Sequence, residues 1–272
     1  MLNIKKLSTL NELHALKAQY FSSSTAPLDG MWHFGFVPMS PHFGIYEDNT
    51  LAGFFVVNDD GYLLQFYLSP SATSEASLAF TSALHSDLAD INGAFVSTAE
   101  PNFLSLCLDN TSTFEINSMM YQLQGQTQHQ ANTMIEMQQV TPNQLNELVQ
   151  FAATNIGAPE QWLSGYYGRL IERNELWGYW LNNTLLATGE CRLFDEFQTQ
   201  YADLGMIVAQ SERGKGIATQ VLQYLVHEAQ SKGLTPICST ENNNIAAQKA
   251  IGKAGMRSSN RIVQFKFSRS SQ

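Results

Sequence analysis

The chain has 272 residues, a formal net charge of -9 and only 14% charged residues, against roughly a quarter in a typical globular domain. With 44% hydrophobic and 11% aromatic residues it is too apolar to stay disordered, yet no apolar run approaches the roughly 20 residues that cross a bilayer. Its length fits two domains of about 130 residues each.

In chain order, the first regular pattern begins at Phe43 with FGIYEDNTLAGFFVV, a strand, a corner at Asn49 and Thr50, and a second strand holding Gly53. YLLQFYLSP from Tyr62 is another apolar strand ending in a loop, and Phe80, Leu84 and Leu88 follow at helical spacing. FVSTAEPN (residues 95–102) comes next, and Phe114 leads into MMYQL. Residues 122–133, QLQGQTQHQANT, are polar without any helical or strand-like period and are expected to form a linker. Beyond them the same order returns. WGYWLNNTLLATGEC from Trp177, with Gly189 in its second strand, is followed by YADLGMIVAQ from Tyr201. Ile217, Val221, Leu225 and Ala229 then recur at helical spacing, before ICSTENNN (residues 237–244) and Met256 leading into RIVQF. Five blocks in one order, at an offset of about 134 to 142 residues, predict a duplicated α/β unit. The expected domains are residues 1–125 and 126–272.

Charge divides along the same line. After Lys17 the next basic residue is Arg169, and residues 1–125 hold about 3 basic against 12 acidic side chains, whereas residues 126–272 hold about 12 of each. A first half so poor in Lys and Arg is unsuited to a nucleic-acid backbone. The three cysteines, Cys107, Cys191 and Cys238, contain no CxxC pair, which predicts a reducing, cytoplasmic setting without disulfides or a zinc site. No membrane partner is expected, nor a metal: His227 and Glu228 do not complete an HExxH motif, because position 231 is serine.

Residues 203–230, DLGMIVAQSERGKGIATQVLQYLVHEAQ, concentrate the chemistry. An apolar strand runs into a short loop, and Arg213, Gly214, Lys215, Gly216, Ile217 and Ala218 open an amphipathic helix. Glycines permit a sharp turn and close approach of a ligand, and the first helical amides with the helix dipole attract a phosphate. A glycine-containing turn with a solvated basic rim is the plain structural alternative. A Walker loop does not fit, since Lys215 is misplaced for it, and a dinucleotide fold does not fit, since Thr219 stands where a third glycine belongs.

These residues resemble the GNAT superfamily of acyl-CoA-dependent N-acyltransferases. Its [Q/R]-x-x-G-x-[G/A] signature matches Arg213, Gly216 and Ala218, and a second element corresponds to Asn244, Ala247, Ile251, Gly255 and Met256. The resemblance implies tandem GNAT-like α/β (α+β) domains, each a mixed, mostly antiparallel sheet flanked by helices. It covers residues 132–267 well; the first half matches as a degenerate copy whose loop, residues 73–78 (TSEASL), has no glycine or basic residue. It further implies that Met206, Ile207 and Val208 pair with the pantetheine arm of acetyl-CoA or a related acyl-CoA. The amides of Arg213, Gly214, Lys215, Gly216, Ile217, Ala218 and Thr219 would hold its pyrophosphate, and Asn244 would contact the pantetheine or its surroundings. The strand ending near Thr240 would splay from the one ending at Val208 to admit it. Lys249 and Lys253 can reach the phosphates or simply form a solvated helix face.

One departure stands out: many members carry a tyrosine acid at the position of Ile251, and isoleucine donates no proton. The implied reaction is acetyl transfer to a primary amine, small molecule or peptide, by direct attack in a ternary complex. A protonated amine must first lose its proton, and Asp203, Glu190 and Glu241 are the carboxylates placed to accept it, with Asp203 leading and Tyr201 a hydrogen-bonding alternative. Trp162, Tyr166 and Tyr167 lie in a segment expected either over the acceptor or in ordinary helix packing. His33, His42, Cys107 and Ser105 are expected to be structural. The acidic half is expected to serve the acceptor side by attracting a cationic amine. Two other functions fit the same residues: a non-catalytic CoA-binding or regulatory protein, and an interaction module with a vestigial second half.

Overall fold

A computed structural model describes residues 2–125 and 135–267. Residues up to Met119, together with those from Asn260 onward, form one compact unit, and Met120–Ser259 form the other. The first unit contains β1 (Leu2–Lys6), α1 (His14–Ser23), β2 (His42–Glu47), β3 (Thr50–Val57), β4 (Tyr62–Leu68), α2 (Ala76–Leu84), β5 (Gly93–Ser97) and α3 (Pro101–Asn110). Strand β6 (Thr111–Leu123) leads to the second unit. There follow β7 (Gln138–Gln139), α4 (Leu145–Ile156), α5 (Glu160–Glu172), β8 (Leu176–Leu181), β9 (Thr184–Leu193), β10 (Tyr201–Val208), α6 (Ile217–Ser231), β11 (Thr235–Glu241) and α7 (Ile245–Lys253). The last strand is β12 (Met256–Phe267).

Local chemistry explains the hairpins. Asp48 and Asn49 join β2 to β3, Asn182 and Asn183 join β8 to β9, and all four have positive φ, at 45°, 70°, 50° and 61°. A two-residue turn of this kind matches the twist of paired strands, and Asn and Asp tolerate it best after glycine. The corners therefore lie one residue earlier than the expected Asn-Thr pairs, and Thr50 and Thr184 already begin strands. Leu88 also departs from expectation. The His85 amide closes α2 onto the Thr81 and Ala83 carbonyls, which leaves Leu88 beyond the helix and exposed.

In the first unit, β1 to β4 are antiparallel neighbours, β5 joins β4 in parallel, and β12 adds antiparallel to β5. Phe43, Phe55, Phe66 and Phe80 meet in its core with Val263 and Phe265 from the end of the chain. Residues 260–267 thus complete the first sheet, and the compact units do not follow a single cut between residues 125 and 126. The expected linker also begins later than Gln122. Met120, Tyr121 and Leu123 are buried, so β6 runs on to Leu123, while residues 126–133 lie outside the described residues.

In the second unit, β7 to β10 are antiparallel and β11 joins β10 in parallel. A side chain at Gly189 would meet Val221 and Leu225 of α6, so that face of β9 packs on α6. Strand alternation sends Thr188, Glu190 and Arg192 to the opposite face, where α5 brings Tyr166 against Glu190. Leu148 and Val149 of α4 and Leu163, Tyr167 and Leu170 of α5 form a core on Leu176 and Ile207. Among the described residues, no helix is long and apolar enough to cross a membrane.

Candidate active site

The second unit contains an opening in its sheet. Parallel pairing of β10 with β11 covers only Tyr201, Ala202 and Asp203 against Thr235, Pro236 and Ile237. Both strands continue, to Val208 and Glu241, without further pairing to each other. Met206, Ile207 and Val208 remain tied to β9 on the other side, opposite Gly189, Thr188 and Ala187. One edge of β10 is thus left to pair with an extended ligand.

The loop after β10 ends at an uncapped helix. Gly214 and Gly216 adopt φ of 81° and 87°, a conformation that side chains rarely accept, and a Cβ at either would have nothing within 4 Å. No side chain caps α6. Thr219 bonds back to the Gly216 carbonyl, whereas Ile217 and Ala218 begin the helix, where amides have no intrahelical acceptor. An open concavity lined by amides is the result. Its two cations have partners within the protein. The Arg213 guanidinium donates to the Val208 and Asn155 carbonyls, at 3.3 and 2.9 Å, near the ends of β10 and α4. Lys215 pairs with both oxygens of Glu212 at 3.0 Å on the exposed surface, an interaction weak enough to exchange.

Beside the opening, on β9 and β10, lies a charged cluster whose two carboxylates are buried. Asp203 is directly opposite Arg192 in the β9–β10 ladder, and Gly205 is opposite Glu190. Arg192 donates through Nε and Nη2 to Asp203 Oδ2, at 3.2 and 2.7 Å. Its Nη1 donates to the Tyr166 oxygen at 2.9 Å and also to Glu190 Oε2. Tyr166 in turn donates its hydroxyl to Glu190 Oε2 at 2.6 Å. A Cβ on Gly205 would stand 2.8 Å from Arg192 Nη1 and 3.0 Å from Glu190 Oε2, so the absent side chain makes room for the cluster. Burial opposes the charge of Arg192, yet Asp203, then Tyr166 and Glu190, hold it protonated well above its ordinary range. Burial also pushes the Tyr166 phenol up; Arg192 opposes the shift and Glu190 adds to it, so Tyr166 remains a donor.

The expected catalytic residues therefore separate. Asp203, the leading candidate, is 2% exposed and ion-paired. Glu190 belongs to the same cluster. Tyr201 stands on the face of Asp203 at the start of β10, and its hydroxyl makes no hydrogen bond to the cluster among the described residues. Glu241 is exposed at the end of β11. Asn244 caps α7 by accepting the Ala247 amide at 3.1 Å, which gives the Asn-x-x-Ala pattern a structural cause. Ile251 is buried on α7. Trp162 stacks on Tyr166 with ring centres 4.8 Å apart, whereas Tyr167 belongs to the core. Arg192 and Gly205 were not singled out from sequence. The i, i+2 spacings of Glu190 with Arg192 and of Asp203 with Gly205 were visible, but the register that joins them was not.

The corresponding places in the first unit are filled from within. Glu47 accepts the Thr73 and Ser74 amides and the Thr73 hydroxyl at 2.8 to 2.9 Å, and these bonds, the Thr73 amide first, lower its carboxyl to about 2. Strand β5 likewise leaves β4 after Leu63 and Ala94, and there Glu100 accepts the Ser97 amide at 2.9 Å and the Tyr20 hydroxyl at 2.5 Å. By the repeat, Glu47 and Glu100 stand where the second half has Leu181 and Asn242. His33 and His42 are held neutral, lowered to about 3 and about 4 by burial and then by Lys17. Burial raises the Cys107 thiol, and Ser105 only bonds the Pro101 carbonyl.

A mixed sheet that parts beside an amide-lined glycine loop defines the class: an acyltransferase of GNAT architecture. Residues 9–124 match the family model described as Acetyltransferase (GNAT) domain, and residues 144–256 match that of the Acetyltransferase (GNAT) family. The chain belongs to the GNAT acetyltransferases, with two such domains in tandem. A structure described as an acetyltransferase from the GNAT family of Colwellia psychrerythraea is 57% identical, covering 98% of this chain and 100% of its own, with a TM-score of 0.93. At 12% identity, the GCN5-related N-acetyltransferase from Sphaerobacter thermophilus shares the fold, with a TM-score of 0.67 over 100% of this chain and 97% of its own. So does a tandem GNAT protein from the clavulanic acid biosynthesis pathway, with 12% identity and a TM-score of 0.63 over 100% of both chains. No curated protein matches the sequence.

Proposed function

We propose that the second unit is an N-acetyltransferase that takes acetyl-CoA and a cationic primary amine, small molecule or peptide, in a ternary complex. The observation that carries this reading is the parting of β10 from β11 just beyond Asp203 of the carboxylate cluster, together with the uncapped helix that follows β10. The residues fit an acyl-CoA: the β10 edge at Met206, Ile207 and Val208 suits the pantetheine arm, and Gly214 and Gly216 leave space for its pyrophosphate. When bound, acetyl-CoA supplies the acyl group as an activated thioester. Amides of residues 214–218 orient it, the Thr219 amide being already bonded to the Gly216 carbonyl, and Lys215 adds a mobile positive charge. The cluster holds two carboxylates and one guanidinium, so it carries net negative charge and favours an ammonium ion. A carboxylate there takes the proton that the amine must lose before attack. Cys107, Cys191 and Cys238 are buried and in no disulfide, which supports a reducing cytoplasmic setting. The carboxylates of the first unit support one acyl-CoA site per chain.

The test combines calorimetry with a thiol-release assay over a panel of amines. Expected are one bound acetyl-CoA per chain, free thiol with at least one cationic amine, and an acceptor KM that rises with salt. The buried, aliphatic Ile251 favours a second reading, a non-catalytic acyl-CoA-binding protein. Tight binding without turnover on any amine would establish that one. No acetyl-CoA binding, unchanged in Gly216→Glu, would instead leave an interaction module.

A further inference from the structure

Two carboxylates share one guanidinium in the second unit, and they do not share it equally. Asp203 Oδ2 receives both Nε and Nη2 of Arg192 from the side. Glu190 receives only Nη1, together with the Tyr166 hydroxyl, and every hydrogen bond to its side chain among the described residues falls on Oε2. Oε1 is left for another partner. Trp162, stacked on Tyr166 with the rings 11° apart, holds the phenol over Oε2. Gly205 keeps the guanidinium flat against β10, since any Cβ would collide with it.

We propose that Arg192 and Tyr166 are positioning residues that divide the carboxylates between two tasks, with Asp203 as the fixed counter-ion of Arg192 and Glu190 as the proton acceptor. This rests on the acetyl-transfer reading and names the residue that serves it. Before the step, the cluster has two negative charges against one positive. An ammonium substrate gives one N–H proton to Glu190 Oε1, directly or through a water; the N–H pair of electrons stays on nitrogen as its lone pair, and Glu190 becomes a neutral acid. Asp203 and Arg192 then balance each other. Of the two Glu190 oxygens, Arg192 and Tyr166 donate only to Oε2, so they fix the carboxylate plane without occupying the oxygen that receives the proton. Both donors favour the charged carboxylate, so removing either makes Glu190 hold its proton to higher pH.

The experiment compares E190Q, D203N, Y166F, R192Q and R192K with the native protein. The pH profile of kcat/KM is measured, together with acetyl-CoA affinity and melting temperature. E190Q is expected to lose the acidic limb of the profile and about 100-fold or more of kcat, with acetyl-CoA affinity retained. Y166F is expected to keep the acidic limb but move it upward by about half a pH unit or more; R192Q moves it the same way, and R192K partly restores it. D203N keeps an acidic limb. Carboxyl 13C resonances of the ligand-free protein provide a readout independent of turnover. The resonance missing in E190Q should titrate at higher pH in Y166F than in the native protein. Loss of the acidic limb in D203N rather than E190Q, or an unmoved Glu190 resonance in Y166F with native melting, overturns the proposal. Absence of turnover on every amine defeats the acetyl-transfer reading instead, and the resonance titration still judges the division of labour.

Discussion

At the scale of single residues, the second unit depends on side chains that are missing as much as on those present. Gly205 is the clearest case, because its Cβ would lie 2.8 Å from Arg192 Nη1. Gly205→Ala should cost about 1–3 kcal/mol of stability through overpacking and lower kcat while leaving acetyl-CoA affinity near native; calorimetry and rate assays on one preparation separate the two effects. Gly216 has a different role. At φ 87° with open space around it, Gly216→Glu brings strain and a negative charge to the proposed phosphate site, and acetyl-CoA affinity should fall by about 100-fold or more. Glu100 offers a pH test. Burial lifts its carboxyl from 4.5 to about 7, outweighing the Tyr20 and Ser97 hydrogen bonds that favour the charge. Between those values the native chain keeps a proton that the unfolded chain has lost, so the stabilisation decreases as pH rises through the window. The urea midpoint of the native protein should drop from pH 5 to pH 8, and Glu100→Gln should flatten that slope.

At the scale of elements, two motif residues do structural work that their pattern alone leaves unspoken. Asn244→Ala removes the cap of α7 and should cost about 1 kcal/mol, measured by chemical denaturation, whatever its effect on ligand affinity. Arg213 joins the end of α4 to the end of β10. Its guanidinium therefore shapes the loop, and in the proposed function the loop amides, not this side chain, meet the phosphate. In the first unit the same strand-loop-helix element is closed by Glu47. A carboxylate supplied by β2 satisfies the amides there, which is how a loop without glycines or cations remains ordered.

At the scale of the whole chain, its end belongs to its beginning. Residues 260–267 pair with β5 and put Val263 and Phe265 into the first core. Truncation after Ser259 should therefore damage the N-terminal unit first. Limited proteolysis should cut within residues 2–119 before it cuts within Met120–Ser259, and the opposite order would contradict the assignment. A fragment beginning at residue 126 would likewise lack Met120, Tyr121 and Leu123, which are buried. The halves of the sequence each match a GNAT model, whereas the compact units follow other bounds, the first taking in the last strand.

The sequence by itself determined the duplication, the hairpin, the next strand and the helix after it in each copy, the glycine loop and the family. These features rest on local periodicity and on turn residues that dictate their own φ, as Asp48, Asn49, Asn182 and Asn183 do. Only the tertiary structure decided that Asp203 is held by Arg192, that Arg213 faces carbonyls and that the last strand completes the first sheet. Each depends on register or on partners far along the chain: a shift of one residue between β9 and β10 would send Arg192 to the other face. Charge counting placed the positive residues in the second half correctly. It left open that one of them, Arg192, lies between the two buried carboxylates, because a composition records how many charges there are and a fold decides which of them meet.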